Sequence, residues 1–488
     1  MTTDTDYHDV LHHACSYTFH HGDPNDRWFL AGDAALSEVH ANHIHEGLHL
    51  AKHTLLSRVL AAKPGAERDD IYRPEVMRTI EEEIDSFNDA LRELNLKIHD
   101  TSEIKFKETF AHDTLTEFME AQGFEVTRKF KSEVSSDETP QFMTTAWRAA
   151  WTNQNGTGAK RVLGVNSEMD ALPIPRGEVN HGCGHNLIAI AGVAVALGVK
   201  KALKVHGLSG TVVLLGTPAE EGGHGKIRLI EAGAYKEMDA CVMCHPGSGP
   251  KHEVIAGTDL AIQALRVTYK GKPAHAALAP WEGINAQDAV IQAYNAISML
   301  RQQLKPDLRV HGVIHYDKQP LAVNVIPDHM EMIWDIRAPS KPDLDDLRRR
   351  VVACFEGAAT ATGCTATIIC KTPLMNLNQS DVMAQDVFNT VRHRYGMSAS
   401  IPDQPGAFST DFGNVTYEMP AIHMGYSIPT PDAQSTNHTV GFIKACATQE
   451  AHDETIKVSK AIALTGFRVL DDDQFFGQAS AAFKQTKT

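Results

Sequence analysis

The sequence predicts an α/β fold with a mainly parallel mixed sheet, interrupted by a smaller α+β unit that carries its helices on one face. Two observations predict it. Short apolar strand-like runs, RVLGVNSEMD at 161–170, GTVVLLGT at 210–217 and ACVMCH at 240–245, alternate with helical stretches at 187–203 and 226–235, and such alternation builds parallel sheets. Around residue 261 the rhythm changes to strand, helix, two strands, helix, strand, and α/β character resumes only after about 375.

Residues 1–75 stand apart: ten of the 26 histidines precede position 54, and AAKPGAERDDIYRPE closes the segment with helix breakers. This region is expected to be an appended, partly helical extension. His45, His49 and His53 fall at i, i+4 and i+8, which stacks their imidazoles on one helix face. No Cys or carboxylate completes a ligand set there, so a polar helix face is the expectation. From Met77 the apolar residues Met77, Ile80, Ile84, Phe87, Leu91 and Leu94 recur at helical spacing. A second amphipathic stretch ends at Gly123, and FEVTRKF then reads as a strand. The α/β elements fill the rest of 76–260, and the interrupting unit, 261–375, holds the strands ALRVTYKG, LRVHGVIHY, MEMIWDIRA and TATIICK with two long helices between them. Helices beginning near Asp381 and His452 return the chain to the first domain over 376–475, leaving 476–488 as a tail.

Composition narrows the function. Among 488 residues, 46 Lys+Arg against 61 Asp+Glu give a net charge of −15, too few cations for a polyanion-binding surface, so nucleic acid is excluded as a partner. The longest apolar run, Leu187 to Val199, falls short of the ~18 residues a bilayer span needs. The start, MTTDTDYHDV, has no basic region followed by an apolar core, so a cytoplasmic, reducing location without membrane attachment is expected. The eight cysteines are scattered and should be thiols or metal ligands.

The densest set of candidate ligands runs from Glu168 to His185, through SEMDALP and NHGCGHN. Cys183 and His185 can face one ion only if the chain turns sharply, which Gly182 and Gly184 allow. Adjacent carboxylates such as Glu220 and Glu221 are ordinarily solvated surface. These two follow a fully apolar strand, at the end where open α/β sheets collect ligands, so one can bind metal while the other stays free as a base. His245 stands at another strand end, and His438 follows much later. His224 reads as a rim residue rather than a ligand. Cys241-Val-Met-Cys244-His245 matches the pattern of covalent haem attachment but reads better as a buried strand, and the sequons at Asn155 and Asn437 are idle without a secretory signal.

Taken in order, SEMDALP…HGCGHNLIAIAG, TPAEEGGHGKIRLIEAGAY, the strand ending in His245-Pro246, YKGKPAHAALAPWEGINAQDA, VNVIPD…WDIRAPS and STDFGNV…NHT resemble the M20 metallopeptidase and amidohydrolase family, in its aminoacylase-like branch that acts on dipeptides. The resemblance spans about 76 to 475. It implies a zinc-peptidase-like catalytic domain with two divalent metal ions, zinc expected and manganese or cobalt as alternatives, and an inserted ferredoxin-like lid domain through which the chain forms a homodimer. Carried over by motif, the metal ligands are Cys183, His185, Glu221, His245 and His438, with Cys183 bridging. Glu220 is the general base, and Asp170 an orienting carboxylate. His275 reaches into the partner subunit's site, and Asn324 and Arg337 hold the substrate. The implied activity is hydrolysis of the amide bond of a small dipeptide or N-acyl amino acid with a free carboxylate. The same site serving a biosynthetic amide, or a binder without chemistry, are the alternatives. Two departures stand out: IPRGEVN lengthens the segment before HGCGH, and residues 1–75 have no counterpart in the family.

Overall fold

Apolar residues at helical spacing form the first two helices of the computed structural model, Pro74–Ser86 and Asn88–Asp100, with Val76, Met77, Ile80, Ile84, Leu91, Leu94 and Ile98 turned inward. The structure describes residues 71–486 apart from 131–132, 135–140, 175–176, 317–320 and 407. The expected helix with His45, His49 and His53 lies outside the described residues. A third helix, Thr109–Ala121, leads to the strands β1 (Glu125–Thr127), β2 (Glu133–Val134), β3 (Gln141–Phe142), β4 (Trp147–Asn153), β5 (Val162–Glu168), β6 (Leu172–Ile174) and β7 (Glu178–Asn180). Beyond the helix His185–Val205 come β8 (Gly210–Thr217), β9 (Ala240–Ser248) and β10 (Glu253–Ile255). The four strands β11 (Ala261–Lys270), β12 (Arg309–His315), β13 (His329–Ala338) and β14 (Thr365–Cys370) follow, and then β15 (Ser398–Ser400) and β16 (Ala421–Ile428).

Eight strands make one sheet in the order β1-β4-β8-β5-β9-β16-β10-β15. Its centre, β8, β5, β9 and β16, is parallel, while β4 and β10 run antiparallel to their central neighbours. This is the mainly parallel mixed sheet expected. FEVTRKF yields a strand only at β1, an edge strand paired on one side with β4. The helix His185–Val205 is buried without interruption from His185 to Val199, because the sheet covers one side and the helices Pro74–Ser86 and Gln449–Asp471 the other. Continuous apolarity therefore marks a helix in the middle layer. Gly192 permits that packing: a Cβ there would stand 2.1 Å from Ser167 Oγ on β5. The expected tail includes a further helix, Asp473–Thr486, seated by buried Phe475 and Ala479.

The second sheet, β12-β13-β11-β14, is wholly antiparallel, with the helices Ala286–Leu300 and Lys341–Thr362 packed on it around their own apolar core. Strand order and chain order together are the ferredoxin-like arrangement. The outer strand β12 exposes Val313 and Ile314, and the helix Ala286–Leu300 exposes Ile291, Tyr294 and Met299. No helix among the described residues is long and apolar enough to cross a membrane.

His452, fully buried, donates from Nε2 to Asn88 Oδ1 at 3.1 Å, and its Nδ1 has no hydrogen-bond partner among the described residues. Burial first, then the Arg92 guanidinium, lowers its pKa from 6.5 to about 4. The folded imidazole stays neutral where the unfolded one charges, so its contribution to stability is complete above pH 6.5 and is lost as pH falls toward 4. Urea denaturation over this window should show a slope of up to about 1.4 kcal/mol per pH unit from this group, and His452→Gln should flatten it. A slope unchanged by the substitution would remove His452 from the acid sensitivity.

Candidate metal centre

The parallel strands set the position of the site. From β5 the chain crosses to β8 on one side, and from β8 it crosses back past β5 to β9 on the other, so the loops leaving the strand ends diverge there and open a crevice. Glu168 ends β5 with Asp170 just beyond it, Glu220 and Glu221 follow β8, His245 lies near the end of β9, and His423 is in β16. A cavity of about 450 Å³ opens against them, lined by Cys183, Glu220, Glu221, His245, His423 and His438 among others.

Cys183 reaches this crevice through a turn that the sequence demands. Gly184 has φ 81° and immediately precedes the helix His185–Val205, and a Cβ on it would lie 2.6 Å from Pro246 Cγ. Both its left-handed backbone and its contact with Pro246 exclude larger residues. Cys183 thus immediately precedes the N-cap of that helix, the end that favours an anion. His438 reaches Cys183 from the opposite side in a left-handed conformation unusual for a non-glycine residue, φ 68°, pinned by its N–H donating to Gly182 O at 2.7 Å. Asn437 donates its side-chain amide to Pro246 O at 3.1 Å, so that sequon residue is part of the wall.

Two groups of potential ligand atoms share Cys183: Cys183, His185 and His245 in one, Cys183, Glu221 and His438 in the other, with the atoms of each within 4.8 Å of one another. Cys183 Sγ lies 3.5 Å from His245 Nε2 and 3.3 Å from His438 Nε2, and the latter is 3.1 Å from Glu221 Oε1. His185 Nε2 is buried with the Glu168 carboxylate 3.4 Å away and no hydrogen-bond partner among the described residues, as a donor atom kept for a cation would be. A thiolate, three imidazoles and a carboxylate at such spacing suit two divalent ions.

Charge follows the same geometry. Burial raises the Cys183 pKa, but His245, His185 and His438 outweigh it and hold the thiol at about 5. Burial likewise opposes ionisation of Glu221, yet His438 and His185 bring it to about 2. The hydrogen bonds to Cys183 and Glu221 raise His438 to about 10. Asp170 accepts from His185 Nδ1 at 3.2 Å through one oxygen and from the Glu221 N–H at 2.9 Å through the other, so one carboxylate orients an imidazole and the adjacent loop together. Glu220 also lines the cavity. Burial and the negative Glu168 and Asp411 raise its proton affinity well above that of an ordinary carboxylate.

Other expected site residues lie elsewhere. His275 and Asn324 are side by side in the ferredoxin-like unit, where Ala276 N–H donates to Asn324 O at 2.9 Å; both are exposed and neither lines the cavity. Arg337 approaches it, with Nη1 3.5 Å from Oγ of Ser409, a wall residue. Among the described residues His224 belongs to no potential ligand group, and it does not line the cavity. Cys241 and Cys244 are buried within β9, and burial alone pushes Cys241 up to about 12, as expected for strand thiols rather than haem attachment.

The sequence reading missed a buried ion cluster. Lys226, fully buried, donates from Nζ to Glu168 Oε1 and Asp411 Oδ1, each at 2.5 Å, and its backbone N–H donates to Asp411 Oδ2 at 2.9 Å. Glu168, Glu220 and Asp411 would otherwise form another acidic ligand group, and the ammonium already pairs with two of its three carboxylates. The lysine of GHGK and the aspartate of STDF were visible, but only their burial distinguishes them from surface charges. His423, stacked against His245 at 5.6 Å between ring centroids, was hidden in an apolar strand.

A parallel sheet that gathers thiol, imidazole and carboxylate donors around a cavity at its strand ends is the architecture of a metal-dependent hydrolase. Residues 164–464 match peptidase family M20/M25/M40. The chain is 36% identical over 414 residues to Xaa-Arg dipeptidase of Mus musculus, covering 80% of this chain and 88% of that one. It is 31% identical over 332 residues to one of the p-aminobenzoyl-glutamate hydrolase chains of Escherichia coli, covering 64% of each. A dinuclear metal-binding peptidase of the M20 family from Bacillus subtilis shares the fold, with a TM-score of 0.56 at 19% identity, over 79% of this chain and 99% of that one. The chain belongs to peptidase family M20/M25/M40 and is a metal-dependent hydrolase.

Removing Lys226 would leave Glu168 and Asp411 buried without a cation. Lys226→Met should therefore lower unfolding stability by about 3–5 kcal/mol, read as a lower urea midpoint at unchanged slope. A loss below about 1 kcal/mol, the range of an exposed ion pair, would show that the cluster is not a clamp.

Proposed function

We propose that this protein hydrolyses the amide bond of a small dipeptide or N-acyl amino acid bearing a free carboxylate, using two divalent ions that Cys183, His185, Glu221, His245 and His438 would hold. The observation that carries this reading is the pair of ligand groups meeting at one thiol, with a second carboxylate, Glu220, in the same cavity wall. The names of the relatives, a dipeptidase and a hydrolase of an acylated glutamate, agree with it. Zinc suits the thiolate and imidazoles, and manganese or cobalt would fit the same donors. When bound, the ions supply Lewis acidity toward the amide carbonyl and favour ionisation of water.

The chain's own groups do the rest. Glu220 takes the proton of the attacking water and returns it to the leaving amine. Asp170 holds His185 and the Glu221 loop in place. Arg337, beside Ser409 at the wall, presents a planar fork to the substrate carboxylate. The chain divides into a catalytic domain over 76–260 and 376–475 and a lid over 261–375. The exposed edge of β12 and the apolar outer face of the helix Ala286–Leu300 then pair two lids in a homodimer. In that dimer His275 and Asn324 serve the partner's site, and His275 stabilises the tetrahedral oxyanion. Free thiols, Cys183 foremost, suit a reducing cytoplasm.

Glu220→Gln should keep its metal, by elemental analysis, while turnover falls by at least the ~10²–10⁴ typical of general-base loss; Glu221→Gln should lose metal instead. A Glu220→Gln enzyme with near-normal turnover would defeat the assignment. The two-chain site has its own test. Inactive Glu220→Gln and inactive His275→Ala chains, mixed in equal amounts, should recover roughly a quarter of wild-type activity, because half the dimers are mixed and each of those holds one intact site of two. No recovery after exchange confirmed by label would make the site complete within one chain.

A further inference from the structure

We infer that Glu253 selects substrates whose carboxyl-terminal residue carries a cationic side chain, such as arginine or lysine; the inference rests on the hydrolase reading above. Glu253 opens β10 and lines the metal-bearing cavity. No hydrogen bond or ion pair engages its carboxylate among the described residues, and no Lys or Arg lines the cavity with it.

Its position follows from the sheet. Val254 pairs with Tyr426, which places Glu253 opposite Ser427, and Ser427 in turn pairs with Gly247 on β9. Residues in register share a face, and Gly247 shares its face with His245 two positions earlier. Glu253 therefore looks into the same cavity as His245 from two strands away, about 10 Å at the usual strand spacing. That separation matches a substrate whose amide lies at the metals and whose side chain extends along the sheet.

The wall between suits such a side chain. Ile255, two residues along the same face, and Phe408 provide apolar surface for a methylene stem, while Ser427 stands opposite the carboxylate. Arg337, reaching Ser409 on the wall of the same cavity, accounts for the terminal carboxylate. A cationic carboxyl-terminal residue then meets one complementary charge at each end, and an acidic side chain would meet repulsion at Glu253.

The test uses the full-length, metal-loaded protein with alanyl-arginine and the neutral isostere alanyl-citrulline. Wild type should favour the arginine dipeptide by about tenfold or more in kcat/KM, as expected for a charge-assisted pair. Glu253→Gln should remove that preference by slowing the arginine dipeptide alone, and Glu253→Lys should turn it toward alanyl-glutamate. Equal wild-type rates on the two dipeptides, or a Glu253→Gln loss that falls equally on both, would overturn the role of Glu253 and leave the hydrolase reading intact. Calorimetric titration with free arginine and free citrulline reads recognition without turnover. Arginine binding that depends on Glu253, in a protein that cleaves neither dipeptide, would support charge recognition and overturn the hydrolase reading instead. Glu253 lies on a cavity wall, and unchanged thermal midpoints will verify that both variants fold.

Discussion

The buried ammonium of Lys226, between Glu168 and Asp411, is the contact on which the rest of the structure depends. Glu168 ends the central strand β5, Lys226 follows the Glu220–Glu221 loop, and Asp411 arrives only after the chain has left the large sheet, built the second one and returned. One side chain thus joins three segments separated by an inserted domain. Lone buried charges are strongly disfavoured, so each segment needs the other two in place before its charge is tolerable. The same ammonium works against burial at Glu220, while His185, His245 and His438 hold Glu221 and the Cys183 thiolate ionised. Without these cations, the acidic groups at the ends of the parallel strands would protonate or repel one another.

The inserted unit has a different logic. It has its own apolar core and sheet, so its fold does not borrow from the catalytic layers. After it, the returning strand β16 enters the middle of the large sheet, between β9 and β10. The catalytic sheet is therefore complete only when chain from both sides of the insertion has assembled, which ties formation of the His245 and His438 wall to correct docking of the carboxyl-terminal part. The lid meanwhile leaves a strand edge and an apolar helix face exposed, surfaces that a monomer ordinarily covers or charges.

Much of the site was legible because its chemistry demands particular residues in particular local settings. Glycine beside Cys183 is required by a positive φ and a close approach to Pro246, and paired glutamates after an apolar strand are out of place unless they serve a ligand. Glu253 was not legible. A glutamate opening a three-residue strand looks like any solvated charge, and only the register across β16 to β9 turns it toward the cavity. The Lys226 cluster was hidden for the same reason, since burial is a property of packing and not of spacing.

The sequence by itself determined the alternation of strand and helix, the place where a second unit interrupts the first, and which donors can reach an ion through local turns. These follow from periodicity, backbone allowances and ligand chemistry, all of which act over a few residues. Tertiary structure alone decided that Asn324 lies away from the cavity of its own chain and which of the described acidic residues are buried. Those outcomes depend on distances between segments far apart in the chain. Such distances are set by how the layers pack, and local pattern carries no record of them.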